Sequence, residues 1–269
     1  MFWFTALNEP FPQFRERNAA YRTMLKVASF SARKNAPGLK PVLIYNGKEE
    51  SFHDEVRALG CEVVFHRLSF EDRVLAEPAR TDLWKDTARG AFLRLDIPKL
   101  FPALDEALYT DIDALFLRDP TRFTLKTETL ALAPEFDIDN FEAVNTGSML
   151  FNCKGASRVF DEVINYSCDN LALVPDYDQG AIRLALKGRW DRLSPLMNWK
   201  PYWGENSEAV LLHFHGPKPL DFDGDGLLPE GSAQVYKNLH ARAPNYYKDA
   251  IALWTSLLKT STHIADPQR

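Results

Sequence analysis

The chain has 269 residues, enough for one large domain with at most an appended piece, and it needs no disulfide or metal staple to bury a core. Hydrophobic residues make up 45% and charged residues 26%, which excludes wholesale disorder. The net charge of −5 argues against a general nucleic-acid binder, whose balance runs the other way.

In chain order, short apolar runs alternate with helical periods. Phe2–Leu7 predicts a strand, and Tyr21, Met24, Leu25, Ala28 and Ala32 fall at the i, i+3, i+4, i+7 spacing of an amphipathic helix. Pro41–Asn46 predicts a buried strand closed by Gly47. Phe52, Val56 and Leu59 mark a short helix stopped by Gly60, and Glu62–Leu68 predicts the next strand. This succession is the pattern of an α/β layer with right-handed crossovers and a mostly parallel sheet.

Residues 69–92 are polar and show no clear period, so no element is assigned there. Leu93, Ile97 and Leu100 predict a helix over Leu93–Leu104 in spite of Pro98. Ala107–Tyr109 predicts a strand that delivers Asp111 and Asp113 at its carboxyl end. Leu130–Ala133 and Ser148–Asn152 predict further strands, and Ala156, Val159, Phe160, Val163 and Ile164 another helix. Asp178 opens a third helix through Ile182 and Leu186, ending at Gly188. Ala209–His213 predicts the last strand, and Tyr247, Ile251, Trp254 and Leu258 line a C-terminal helix. The domain reading is an α/β unit over residues 1–231 and a helical extension over 232–269 that packs on it.

Three cysteines, Cys61, Cys153 and Cys168, form no close pair, which argues for a reducing compartment and against a zinc ribbon. The opening apolar run is short and lacks a basic start, so it does not read as a signal peptide. No stretch reaches the ~20 apolar residues of a membrane span. The expected location is the cytoplasm, free or peripheral to the cytosolic face of a membrane.

Asp111 and Asp113, two apart on an extended segment, point to one side a few ångströms from each other. Acids that end an apolar strand invite a divalent cation, and open α/β sheets bind ligands at the carboxyl ends of their strands. Alone, such an Asp-x-Asp pair is common and reads more readily as a surface turn of helix-capping acids.

Further segments follow and precede the acids in a fixed order: Arg94-Leu95-Asp96-Ile97-Pro98, Ala107-Leu108-Tyr109-Thr110-Asp111-Ile112-Asp113, Val144-Asn145-Thr146-Gly147-Ser148-Met149-Leu150, Asp178-Gln179, and Leu211-Leu212-His213-Phe214-His215-Gly216-Pro217-Lys218-Pro219. The succession resembles the retaining glycosyltransferases of family 8, which include glycogenin and bacterial lipopolysaccharide galactosyl- and glucosyltransferases. The resemblance covers roughly residues 88–219. Thr146 stands where the family usually has alanine, the segment between Gly216 and Lys218 is one residue short, and Leu220 replaces a usual tryptophan.

The resemblance implies a GT-A type nucleotide-diphospho-sugar transferase fold, a UDP-sugar donor carrying glucose or galactose, a hydroxyl acceptor such as a bacterial surface glycan, and retained configuration. It implies a metal held by Asp111, Asp113 and His213, with manganese the first choice and magnesium the alternative, and with His215 in reserve. Lys218 would face the leaving diphosphate. Arg94, Asn145, Gly147 and Gly216 would lie by the donor, and Asp178 and Gln179 under the reacting carbon. Thr5 and Asn8 would meet base and ribose. From sequence alone Asp178 reads as a helix cap, and His213 as a packed strand histidine.

Three other readings compete. Asp221, Asp223, Asp225 and Gly226 match the first half of an EF-hand calcium loop, but its twelfth position is Ser232 and its ninth Pro229. That would make the chain a binding module, as would a non-catalytic relative that holds a sugar nucleotide. A nucleotidyltransferase would use a similar core, yet no glycine-rich basic loop follows the first strand. In the last segment, Tyr236, Tyr246, Tyr247 and Trp254 with Lys237, Arg242 and Lys248 suit a membrane interface, but packing on the domain is the better account.

Overall fold

The computed structural model describes residues 1–9, 12–48, 50–223 and 226–265. β1 (Phe2–Asn8), α1 (Arg15–Asn35), β2 (Lys40–Asn46), α2 (Glu50–Ala58) and β3 (Glu62–Phe65) succeed one another as the periodicity predicts, although β3 stops short of Leu68. Gly60 takes φ +84 beyond α2, a backbone that side chains resist, and this ends the helix.

Residues 69–92 hold two helices, α3 (Glu71–Ala76) and α4 (Asp82–Phe92). Thr81 caps α4 by accepting the Trp84 N–H at 3.2 Å. The period is hidden because the inner face of α4 carries charge: Asp86 and Arg89 are buried beside Ala88 and Phe92, and Arg89 pairs with Glu71 at 2.7 Å. The helix expected over Leu93–Leu104 is instead a 3₁₀ turn, Leu93–Asp96, running into the single turn α5 (Ile97–Leu100), with Pro98 in its first turn.

The remaining elements are β4 (Glu106–Thr110), β5 (Ala114–Phe116), β6 (Leu130–Pro134), β7 (Val144–Asn152), α6 (Cys153–Asn170), α7 (Tyr177–Leu186), β8 (Asp191–Arg192), β9 (Leu211–His213), α8 (Gln234–His240) and α9 (Pro244–Ala265). Seven strands form the main sheet in the order β3-β2-β1-β4-β7-β6-β8. β7 runs against both its neighbours, and the other six strands share one direction. β5 and β9 form a second, two-stranded antiparallel sheet.

Both faces of the main sheet are covered. Phe4 and Tyr109 enter a core with Phe92, Met149, Phe160 and Ile182, while their neighbours Trp3 and Leu108 enter another with Ala28, Ala32 and Leu211. Alternate residues of β1 and β4 thus feed opposite layers, which is why these strands read as unbroken apolar runs. Among the described residues no helix is long and apolar enough to cross a membrane.

α9 lies against α1. Ala250, Ile251, Trp254 and Leu257 share a core with Met24, Val27 and Phe30, so the aromatic face of this segment is turned inward. The acidic stretch beginning at Asp221 leaves the described residues at Gly224 and Asp225, so the calcium-loop reading falls partly outside them. Trp254→Ala empties the seam between α1 and α9 and is expected to cost about 3–5 kcal/mol. Urea unfolding checks this, and a loss below about 1 kcal/mol would show that α9 is not part of the cooperative unit.

Candidate metal and donor-binding site

β4 brings the chain to Asp111, where the pairing with β7 ends. The Asp111 N–H donates to Gly147 O at 2.9 Å, and the Ala114 N–H donates back to Asp111 O at 3.2 Å. The two acids therefore stand in a turn and not, as the spacing suggests, on an extended strand. The turn leads into β5, whose Ala114 pairs with His213 of β9. That register places His213 Nε2 3.3 Å from Asp113 Oδ1 and 3.8 Å from Asp111 Oδ2. One ligand atom from each of the three lies within 4.8 Å of the others.

Each acid has one oxygen committed and one to spare. Asp111 Oδ1 accepts from Arg94 Nη2 at 2.8 Å and from Tyr109 Oη at 3.2 Å. Asp113 Oδ2 accepts from Lys218 Nζ, which also donates to Phe214 O at 3.1 Å. Burial pushes the Asp113 carboxyl up, but Lys218 and His213 outweigh it and hold it well below the usual carboxylate range. Asp113 Oδ1 is buried and accepts no hydrogen bond. A divalent cation between that oxygen, the spare oxygen of Asp111 and the imidazole fits this donor set, since hard cations take carboxylates and a neutral imidazole adds a nitrogen.

Gly147 backs this arrangement. A Cβ there would stand 1.9 Å from His213 Cε1, so the ring occupies the space that a side chain would fill. The close approach that the sequence motif suggests is thus, within the chain, an approach of His213. Arg94 crosses behind: it donates through Nη1 to Thr146 O and through Nε to Ala91 O, each at 2.8 Å, and lies 3.3 Å from Asp178 Oδ2. Its guanidinium also stacks 4.4 Å from the Tyr109 ring centre.

Asp178 does not cap a helix. Asp176, at φ 49, holds the cap position of α7, and Asp178 lies buried in the first turn facing Arg94. Burial raises its carboxyl to about 6, with Arg94 opposing and Asp111 reinforcing the shift. Gln179, next to it, spends its whole amide within the protein. Oε1 accepts from Asn145 Nδ2 at 2.7 Å and from the Thr146 N–H at 3.3 Å, and Nε2 donates to Glu135 Oε1 at 2.7 Å.

A cleft of about 190 Å³ opens beside the acids, lined by Asn8, Arg17, Tyr21, Arg94, Asp111, Asp113 and Lys218, among others. Asn8 is tied inside its wall: Nδ2 donates to Asp86 O at 3.0 Å, and Oδ1 accepts from Asn46 at 2.8 Å. Thr5 is fully buried in β1 and is not part of the lining. Gly216 takes φ +97 with Leu239 of α8 close against it, so its conformation serves a turn. His215 is turned from the acids, with Nδ1 2.9 Å from Tyr202 Oη and Nε2 3.6 Å from Glu135. A larger concavity of about 660 Å³, between Asp139, Arg183 and Arg192, contains none of the acid-pair residues.

Arg17, Tyr21, Glu135 and Asn198 belong to this region without having been singled out by sequence. Tyr21 is only the first apolar position of the period that becomes α1, and Arg17 lies on the turn before it, outside that period. Asn198 sits in a 3₁₀ turn, its Oδ1 2.9 Å from His213 Nδ1.

No protein-family model and no curated protein sequence matches the chain. Solved structures do. An active-site mutant of LgtC superposes with a TM-score of 0.63 at 16% identity, over 90% of this chain and 95% of that one. The galactosyltransferase LgtC in complex with donor and acceptor sugar analogues gives 0.61 at 17%, with the same coverage. The glycosyltransferase GlyE of Streptococcus pneumoniae TIGR4, in its apo form, gives 0.61 at 17%, over 98% of this chain and 64% of that one. The chain has a GT-A type fold. Its mixed seven-stranded sheet flanked by helices is the architecture held in common.

Gly147→Ala is expected to displace His213 and lower Mn2+ affinity at least about 10-fold, which titration calorimetry checks. Unchanged affinity would remove His213 from the ligand set. Asp178 offers a second check through pH. Its carboxyl titrates at about 6 when folded against an ordinary 3.8, so between these values the folded chain holds a proton that the unfolded chain has lost. Stability therefore falls as pH rises through this window. Asp178→Asn is expected to flatten that slope in urea unfolding, and an undiminished slope would assign it to other groups.

Proposed function

We propose that the chain is a metal-dependent glycosyltransferase that moves a hexose, glucose or galactose, from a UDP-sugar to a hydroxyl acceptor with retained configuration, as in glycosyltransferase family 8. The observation that carries this is the Asp111–Asp113–His213 set at the carboxyl end of β4, beside a cleft, in a fold shared with LgtC and GlyE. The complex of LgtC with donor and acceptor sugar analogues supports a sugar-nucleotide donor and a sugar acceptor here. Residues 1–231 would carry the reaction and 232–269 would brace α1.

Asp111, Asp113 and His213 would hold Mn2+, or Mg2+ in its place, which supplies Lewis-acid charge to the departing diphosphate. Lys218 and Arg94 already balance the two carboxylates, so the site with its cation is net positive and suits an anionic donor. Lys218, which lines the cleft, would share its charge between Asp113 and the leaving oxygen, a stabilisation that grows as the bond breaks. Arg94 orients Asp111 while stacked on Tyr109. Because both ends of the Gln179 amide are engaged inside the protein, attack by the acceptor on the face from which the diphosphate leaves is favoured over a covalent intermediate on Gln179.

The deciding experiment is nucleoside diphosphate release from UDP, GDP and ADP sugars with Mn2+ and with chelator. Release from a UDP-sugar that stops on chelation is expected. Asp113→Ala and Asp111→Ala should abolish it with the fold kept, and Lys218→Ala should lower kcat about 100-fold. Pyrophosphate release from a nucleoside triphosphate would point to nucleotidyl transfer instead. Neither turnover nor calorimetric binding of any donor would overturn the reading.

A further inference from the structure

The concavity of about 660 Å³ that lies apart from the acid pair has walls of opposite charge. One wall is the loop between β6 and β7, with Asp139, Phe141 and Glu142. The other carries Lys187, at the end of α7, and Arg192 of β8, with Trp190 between them in the chain. Arg183 also lines it but is already engaged, donating to Glu135 Oε2 at 3.2 Å and to Asp176 Oδ2 at 2.8 Å. Asp139, Glu142, Lys187 and Arg192 are exposed, and among the described residues none of the four enters an ion pair.

The loop is tied in a way that keeps the walls apart. Asp137 Oδ1 accepts from the Asp139 N–H at 3.2 Å, and Asn140 Oδ1 accepts from the N–H groups of Glu142 at 3.0 Å and Ala143 at 3.3 Å. Trp190 Nε1 donates to Phe141 O at 3.1 Å, so the indole acts as a strut from one wall to the other. Arg192 stands over the Phe141 ring, its Cζ 4.9 Å from the centre. Lys187 sits on left-handed backbone, φ 50, where glycine or asparagine would be at less cost. The polar groups of the concavity are thus set in place beforehand, which lowers the ordering cost of a ligand.

The charges without partners are two of each sign, Lys187 and Arg192 against Asp139 and Glu142, so together they carry no net charge. A polyanion would meet two carboxylates there, and a polycation two cations. A hydroxyl suits both walls, because it donates to a carboxylate and accepts from a cation. Several hydroxyls on one ring, with an apolar C–H face to lay on the half-buried indole of Trp190, describe a sugar. We propose that this concavity is a second sugar-binding site, taking a neutral oligosaccharide. It deepens the transferase reading, since this is the chemistry of the acceptor proposed above, but the binding itself needs neither metal nor donor. The two sites are linked through one carboxylate: Glu135, bonded to Arg183 in this wall, accepts from Gln179 Nε2 at 2.7 Å. An acceptor of several rings is thereby offered a hold away from its reacting end.

The test uses the full-length protein labelled with 5-fluorotryptophan, in chelator and without donor. The Trp190 19F resonance, assigned by its loss in Trp190→Phe, is expected to shift saturably with at least one of maltohexaose, cellopentaose and galactopentaose. Pentagalacturonate, the anionic control, should bind at least about 10-fold more weakly. Arg192→Ala and Asp139→Ala, both at exposed positions, should each weaken the neutral sugar about 10-fold with the thermal midpoint little changed. Lys187→Gly should weaken it too, while its thermal midpoint holds or rises as the left-handed backbone is relieved. That split separates a binding role from a structural one. Calorimetry with the same sugars gives the affinities should Trp190→Phe not fold.

Neither shift nor heat with any of the three neutral sugars would overturn the proposal. So would pentagalacturonate binding as tightly as they do, or affinities unchanged in both Arg192→Ala and Asp139→Ala. The transferase reading fails separately, if no donor is bound or turned over, and the 19F spectra still decide the sugar site in that case.

Discussion

Two carboxylates a few ångströms apart, one of them buried, repel each other and lose their hydration, and the structure around them is arranged to meet that cost. Arg94 meets Asp111 and Lys218 meets Asp113, each through one oxygen, and the opposing oxygens converge with His213 Nε2. The countercharges come from distant parts of the chain: a 3₁₀ turn after α4 for Arg94, and the segment after β9 for Lys218. Neutralising the pair without consuming all four oxygens is what leaves room for a cation. A fully paired cluster would be more stable and have no ligand positions to offer.

The sheet supplies the geometry. β7, alone in its direction, lies beside β4 and carries Asn145, Thr146 and Gly147 past Asp111, so that one backbone bond from Asp111 to Gly147 O holds the acid turn. The β5–β9 pair then sets His213 against the bare face of Gly147. The placing of His213 against Asp113 thus depends on two strand pairings and one missing Cβ. These are rigid elements, which suits a site whose ligand atoms must converge before any ion arrives.

Much of the fold was legible in the sequence because its signals are local. β1, β2 and β4 are apolar on both faces, and α1, α6 and α9 keep a helical period. α4 was hidden because Asp86 and Arg89 occupy its inner face, where the period expects apolar residues. β5 and β8, three residues and two, are too short for any period to mark. In the site, the acids stood out as an Asp-x-Asp pair, while Arg94, His213 and Lys218 stood out only through the family-like order of the segments that hold them. Glu135 and Asn198 did not, since they meet Gln179 and His213 only in the folded chain, 44 and 15 residues away.

The two strands that present Asp113 and His213 lie about a hundred residues apart in the chain, and their pairing closes a loop that spans β6, β7, α6 and α7. Contacts of such separation form late, after the intervening elements have condensed. Asp113 is synthesised long before Lys218 and His213, the groups that balance it, and a nascent or truncated chain ending before β9 holds it without either. In such a fragment the carboxylate of Asp113 would lack its countercharge at the carboxyl end of β4. The last quarter of the chain therefore does for Asp113 what a counterion does for a salt.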